Sequence, residues 1–193
     1  MTKPTTEVTT GKVRISYEHL MKPYAFAEGQ EEKYSCTILV PKSDQKTKAA
    51  IDAAIEQAKT EGVTGKWNGV KPPIIPVPIY DGDGVRPSDG MAFGDECKGH
   101  YVFTASASVD RKPVVVNGNL VEIVDPSEVY SGMYAKVNVA FFPYNFNGKK
   151  GVGCSIRAVQ KVADGEALGG GRVDAKKVFA PVEYDPITGE IAA

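Results

Sequence analysis

Hydrophobic positions change period several times along the chain. Residues 11–17 alternate, with Val13, Ile15 and Tyr17 on one side and Lys12, Arg14 and Ser16 on the other. That is the pattern of a half-buried strand. Residues 33–40 (KYSCTILV) predict a second strand, ended by Pro41, which has no N–H to give to a ladder. From 43 to 61 the period becomes helical, with Ile51, Ala54, Ile55 and Ala58 on one stripe. Ser43 or Asp44 can cap this helix, and Gly62 offers a left-handed stop. So narrow an Ile/Ala stripe suits packing against a sheet rather than against another helix.

Residues 63–99 read as loop. Pro72, Pro73, Pro76 and Pro78 break up Ile74, Ile75, Val77 and Ile79, and Asp81–Gly84 carries turn chemistry. Alternation then returns: Tyr101, Phe103, Ala105, Ala107 and Val109 face away from His100, Val102, Thr104, Ser106 and Ser108. Residues 114–116 and 120–124 predict a hairpin around Asn117-Gly118-Asn119. Residues 125–128 predict a turn or a single helical turn. Long strands follow over 133–143 and 152–162, joined through 145–151. Six or seven short strands with one helix predict a mainly β fold with extended loops, a small barrel or sandwich. The expected organisation is a flexible arm over residues 1–10, one domain over 11–162, and a mildly acidic appendage over 163–193.

A chain of 193 residues, 42% of them hydrophobic, can bury a core without a metal or disulfide staple. No apolar run approaches the roughly 18 residues of a membrane span, and the first ten residues hold no apolar leader segment. The cysteines Cys36, Cys97 and Cys154 form no CxxC pair, and only His19 and His100 could assist them. Reduced thiols, no metal and no cofactor are therefore expected. The formal net charge of −1 hides a split. Residues 98–161 carry a net +4, whereas 81–97 carry −4 and the residues from 162 onward −3. Local field rather than global charge decides where an anion docks.

The strand at 133–144 carries the candidate chemistry. Met133, Ala135, Val137, Val139 and Phe141 form one uniformly apolar face; Tyr134, Lys136, Asn138, Ala140, Phe142 and Tyr144 form the other. Rings interleaved with cations and amides suit the stacking of unpaired bases with phosphates held alongside. The following loop adds Phe146, Lys149 and Lys150, the return strand adds Arg157, and the first strand adds Lys12 and Arg14. The competing structural reading packs Phe142 and Tyr144 beneath the proline-rich segment 72–79. Trp67, between Lys66 and Asn68, is either a further stacking platform or the anchor of its own loop. No nucleophilic triad, phosphate loop or HExxH motif is present. Asp81, Asp83 and Asp89 are the only carboxylates that could hold a metal for nucleic-acid chemistry, and the expectation is a protein without catalysis.

Several runs also carry a resemblance: SYEHLMKPYA (16–25), KYSCTILVPKSD (33–44), GKWNG (65–69) and DGDG (81–84). YSGMYAKVNVAFFPYNFNGKKGV (130–152) and GEALGGGRVDAKKVF (165–179) extend it. Together they resemble a tailed-phage family of single-stranded DNA-binding proteins with an OB-fold core. The resemblance implies an OB-fold-like barrel and sequence-independent binding of single-stranded DNA in phage replication or recombination, in the host cytoplasm. The helix lies between strands 2 and 3, whereas the usual OB-fold places it between strands 3 and 4. The resemblance leaves a homodimer open, and recruitment of phage replication proteins through the tail is the expected use of the C-terminus. A self-associating phage β-barrel without nucleic-acid binding is the alternative.

Overall fold

The chain folds around a closed ring of strands; the structure, a computed structural model, describes residues 5–169 and 180–182. In chain order the elements are β1 (Glu7–Thr9), β2 (Val13–Tyr24), β3 (Lys33–Pro41), α1 (Gln45–Thr64) and β4 (Ile79–Asp81). They continue with β5 (His100–Ser108), β6 (Val114–Val116), β7 (Tyr134–Phe146) and β8 (Lys149–Ala163). β2 pairs with β3, β3 with β5, β5 with β8, β8 with β7, and β7 back with β2. Every step of that ring is antiparallel except β5–β8, which is parallel at Ser106 and Ser155. This is the strand order of a five-stranded OB-fold barrel. The helix enters between the second and third barrel strands, as its position in the sequence requires.

Alternation places the core. Val13, Ile15, Cys36, Ile38, Val40, Phe103, Ala105, Val137, Val139 and Phe141 all point into the barrel and are buried. α1 lies against β7 and β1 through Ile51, Ala54, Ile55 and Ala58. Each buried isoleucine is worth about 1.5–3 kcal/mol over leaving it in water. Asp44 caps the helix by accepting from the Thr47 N–H at 3.0 Å, and the Thr47 hydroxyl donates to Asp44 Oδ2 at 2.6 Å. The same hydroxyl accepts from Gly11 N at 2.9 Å, tying the helix start to the bend between β1 and β2.

Four expectations change. Residues 7–9 are not loose: Val8 is buried, and β1 extends the β2 ladder along β7, with Glu7, Val8 and Thr9 opposite Ala140, Val139 and Asn138. β2 runs on to Tyr24 rather than stopping near Tyr17, and it absorbs two register shifts on the way. Gly62 does not stop the helix. It lies inside α1, and a Cβ there would stand 2.7 Å from the Trp67 ring, so the glycine makes room for the indole. The hairpin at 114–124 forms in reduced form: residues 120–124 make no full strand but turn back antiparallel on β6 through one bridge, Val116 opposite Glu122. Ile123 N donates to Val115 O at 2.9 Å, and Asn117 Oδ1 accepts from the N–H groups of Asn119 and Val121 within the turn. Residues 125–128 do form a single helical turn, in which the Asp125 carboxylate accepts from Ser127 N at 2.8 Å.

Beyond β8, residues 164–168 stay on the barrel. Tyr130 Oη donates to Asp164 Oδ1 at 2.9 Å, Leu168 N donates to Ser131 O at 2.9 Å, and Arg14 Nη2 donates to Glu166 O at 2.6 Å. The expectations for the end of the Gly-rich run and for the acidic C-terminus lie outside the described residues. No helix among the described residues is long and apolar enough to cross a membrane.

Candidate nucleic-acid interface

Two outward sheet faces compete for the role. The first is the β7–β8 face singled out by alternation. Its apolar partner face is buried as expected, and Tyr134, Lys136, Asn138, Phe142 and Tyr144 do point outward. Most of these groups already have partners within the chain. Lys12 Nζ lies 4.6 Å from the Tyr134 ring centroid and Arg14 Cζ 5.8 Å. Arg14 also holds the carbonyls of Gly132 and Glu166, so this trio fastens residues 164–168 to the barrel. Glu7 accepts from Asn138 Nδ2 at 3.0 Å and from Arg157 Nη1 at 2.5 Å. A carboxylate thus stands at the middle of the face where cations were expected to be open.

The rings of β7 lie on glycines. Phe142 and Tyr144 pair across the ladder with Gly153 and Gly151. A Cβ at Gly153 would come within 2.6 Å of Phe142 Cζ, and one at Gly151 would meet the Tyr144 ring. Trp67 is fully buried, against the stacking role considered for it. Its Nε1 donates to Tyr144 O at 2.9 Å, and its own carbonyl accepts from Lys150 Nζ at 3.4 Å. The indole therefore anchors the β7–β8 hairpin to α1. At the hairpin tip Asn147 and Gly148 both take positive φ, which lets a two-residue turn close, and Phe146 stands 71% exposed beside exposed Lys149. Of the predicted set, Lys12, Lys136, Phe142, Phe146, Lys149 and Arg157 are exposed, Lys12 over the Tyr134 ring and Arg157 within its ion pair with Glu7.

The second face belongs to β2, β3 and β5. Pairing aligns Ser35 with Ser106 and Thr37 with Thr104, so short hydroxyl side chains form the floor. Thr37 and Thr104 share a hydrogen bond of 3.1 Å between their hydroxyls. Rings rise on both sides. At one end His19 and Tyr24 stack at 4.5 Å, with Phe26 edge-on to both. At the other, Tyr17 is 62% exposed and Tyr80 lies 6.5 Å from Phe93. Two depressions, of about 430 and 490 Å³, meet at Thr104. Alternation missed this face because the predicted first strand stops at Tyr17, short of Tyr24 and Phe26. The one signal available was the ring density of Tyr17, Tyr24 and Phe26 in a segment without apolar periodicity.

The acidic cluster is committed elsewhere. Lys42 Nζ bridges Asp81 and Asp83 at 2.6 Å each, and its ammonium holds both carboxyls below the usual aspartate range. Asp89 pairs with Arg86 at 2.8 Å. Among the described residues no group of three or more His, Cys, Asp or Glu could hold a metal ion.

The geometry has counterparts. The chain is 28% identical over 177 residues to the putative protein p50 of Acyrthosiphon pisum secondary endosymbiont phage 1, covering 90% of this chain and 92% of that protein. The single-stranded DNA-binding protein of bacteriophage Enc34, solved in complex with ssDNA, superposes with a TM-score of 0.71 at 29% identity, over 88% of this chain and 96% of that one. The bacteriophage T7 single-stranded DNA-binding protein gp2.5 shares the fold, with a TM-score of 0.58 at 19% identity over 93% and 97% of the two chains. The family model described as the ssDNA-binding protein of Enterobacter phage Enc34 matches residues 6–189. By that match, over nearly the whole chain, this protein belongs to the family of the Enterobacter phage Enc34 single-stranded DNA-binding protein.

Proposed function

We propose that this protein binds single-stranded DNA independently of sequence and without catalysis, in phage replication or recombination in the host cytoplasm. The strand runs over the outward face of β3 and β5, the face through which OB-folds take oligonucleotides. Bases stack on Tyr17, Tyr24, Phe26, Tyr80 and Phe93. The hairpin residues Phe146 and Lys149, with Lys136, supply flanking contacts. The observation that carries this reading is the row of rings over a low hydroxyl floor, in a family named for ssDNA binding. Short side chains let a base approach the sheet closely, and a ring accepts any base because every base has a π-face. Cations on this face are few: Lys33 lines it, and Arg86 is paired with Asp89. Stacking therefore contributes more of the affinity than phosphate contacts, and the salt dependence is shallow for a nucleic-acid-binding protein.

Titration of a fluorescent oligothymidine at two salt concentrations, beside a duplex of equal length, tests this. The single strand binds and the duplex does not compete; equal binding of both, or of neither, overturns the reading. One observation favours the self-associating alternative: Val114, Leu120, Val121 and Val124 are all exposed around β6. Gel filtration with and without oligonucleotide separates the two, because self-association alone gives an elution volume indifferent to DNA.

A further inference from the structure

The β7–β8 hairpin ends in a ring for which the fold has no use. Phe142 and Tyr144 lie on Gly153 and Gly151 across the ladder, but the same register sets Phe146 opposite Lys149. With no glycine to rest on, Phe146 stands 71% exposed at the end of its strand. The support beneath it is nevertheless braced. Asn147 and Gly148 close the turn with positive φ, and Trp67 Nε1 holds Tyr144 O at 2.9 Å. Asn145 Nδ2 donates to Lys66 O at 3.2 Å, bringing the chain at Lys66 to the base of the tip. Lys66 and Lys149 are both exposed, and no carboxylate among the described residues pairs with either. A single exposed ring is ordinary. A ring on a braced tip, with uncompensated cations from two chain segments beside it, fits a ligand that is flat, apolar on its face and anionic at its edges.

We propose that this tip stacks on the end of a DNA duplex, so that the protein prefers a junction between single and double strands to a bare single strand. The inference rests on the single-stranded DNA reading above and extends it to a further class of substrate. Where a duplex stops, its last base pair shows a flat face that the next pair would otherwise cover, and two phosphate backbones flank it. Phe146 covers that face, and the ammonium groups of Lys66 and Lys149 offset the backbone charge. Two cations from separate segments suit a duplex end, because an unpaired base brings only one backbone. The tip is also continuous with the groove. Residues 74–80 run from beside β8, where Val152 N donates to Pro76 O at 2.9 Å, to Tyr80, which pairs with Val102 at the groove's far end. A blunt duplex has no strand to fill the groove, so the tip adds affinity only where both parts of a junction are present.

The test measures Kd by fluorescence anisotropy for an oligothymidine strand and for the same strand continued into a stable DNA hairpin, with the overhang in either polarity. The readout is the ratio of the two constants. Wild type binds the junction of one polarity about fivefold or more tighter than the bare strand, the size of one ring–base stack. Phe146→Ala weakens the junction more than the bare strand and brings the ratio close to one, at an unchanged thermal midpoint. Phe146→Trp keeps the ratio. Lys66→Gln lowers it less, and that effect fades as salt is raised. A wild-type ratio of one in both polarities overturns the junction site and spares the groove reading. An unchanged ratio in Phe146→Ala does the same, as does a Phe146→Ala protein that loses bare strand and junction equally, which would make Phe146 a contact for unpaired bases. A wild-type protein that binds neither oligonucleotide overturns both readings.

Discussion

The outward faces of β7–β8 and of β3–β5 both carry aromatic rings, yet their polar groups are in different chemical states. On β7–β8 the polar groups have found each other: Arg157 and Asn138 meet Glu7, and Arg14 meets two carbonyls. Lys12 covers Tyr134, and the rings rest on glycines across the ladder. On β3–β5 the rings stand clear of the sheet, the floor is shallow, and a buried hydroxyl has nothing to bond. The difference teaches that aromatic and basic residues on an outward strand face mark a ligand surface only when the neighbouring strand leaves them unanswered. A glycine opposite a ring, or a carboxylate beside a guanidinium, turns the same residues into internal packing.

The comparison breaks most readily at Trp67. Trp67→Ala removes a fully buried ring and its hydrogen bond to Tyr144, and costs about 3–5 kcal/mol of stability by denaturant titration. Unchanged stability with a fall in DNA affinity would return the indole to the role of platform. Next come the paired double variants. Tyr24→Ala with Phe26→Ala lowers single-strand affinity, by about 1–3 kcal/mol for each base that loses its stack, at an unchanged thermal midpoint. Phe142→Ala with Tyr144→Ala lowers the midpoint, and affinity measured well below that midpoint stays close to wild type. The reverse pattern, read by calorimetry and fluorescence anisotropy, would exchange the two faces. The smallest effect sharpens the comparison most. Glu7→Gln releases Arg157 from an exposed ion pair worth about 0–1 kcal/mol. With the strand on β3–β5, affinity and salt slope barely move. A tighter complex with a steeper salt dependence would put phosphates on β7–β8 instead.

Much of the scaffold was legible along the chain. The inward positions of β7, the Ile/Ala stripe of α1, the Asp44 cap and the turn at 125–128 all follow from period and capping chemistry. These are local properties, set by side-chain alternation and by backbone groups a few residues apart. The resemblance read in the runs at 16–25, 33–44 and 130–152 carried the fold family with it, and the family match agrees. The site was legible only as a kind of chemistry. Alternation drew attention to rings and cations on the strand where it was cleanest, and it passed over the rings of β2 and its neighbours. β2 was hidden past Tyr17 because its two register shifts destroy the period on which a strand is recognised.

By itself, then, the sequence determined which residues turn inward, where the helix starts, and that rings and amines would meet on an outer sheet face. Tertiary structure decided which face stays open. That decision depends on pairs far apart in the chain: Phe142 with Gly153, Arg157 with Glu7, Ser35 with Ser106. Alternation states which side of a strand a residue occupies, but only the register of the neighbouring strand states what waits for it there.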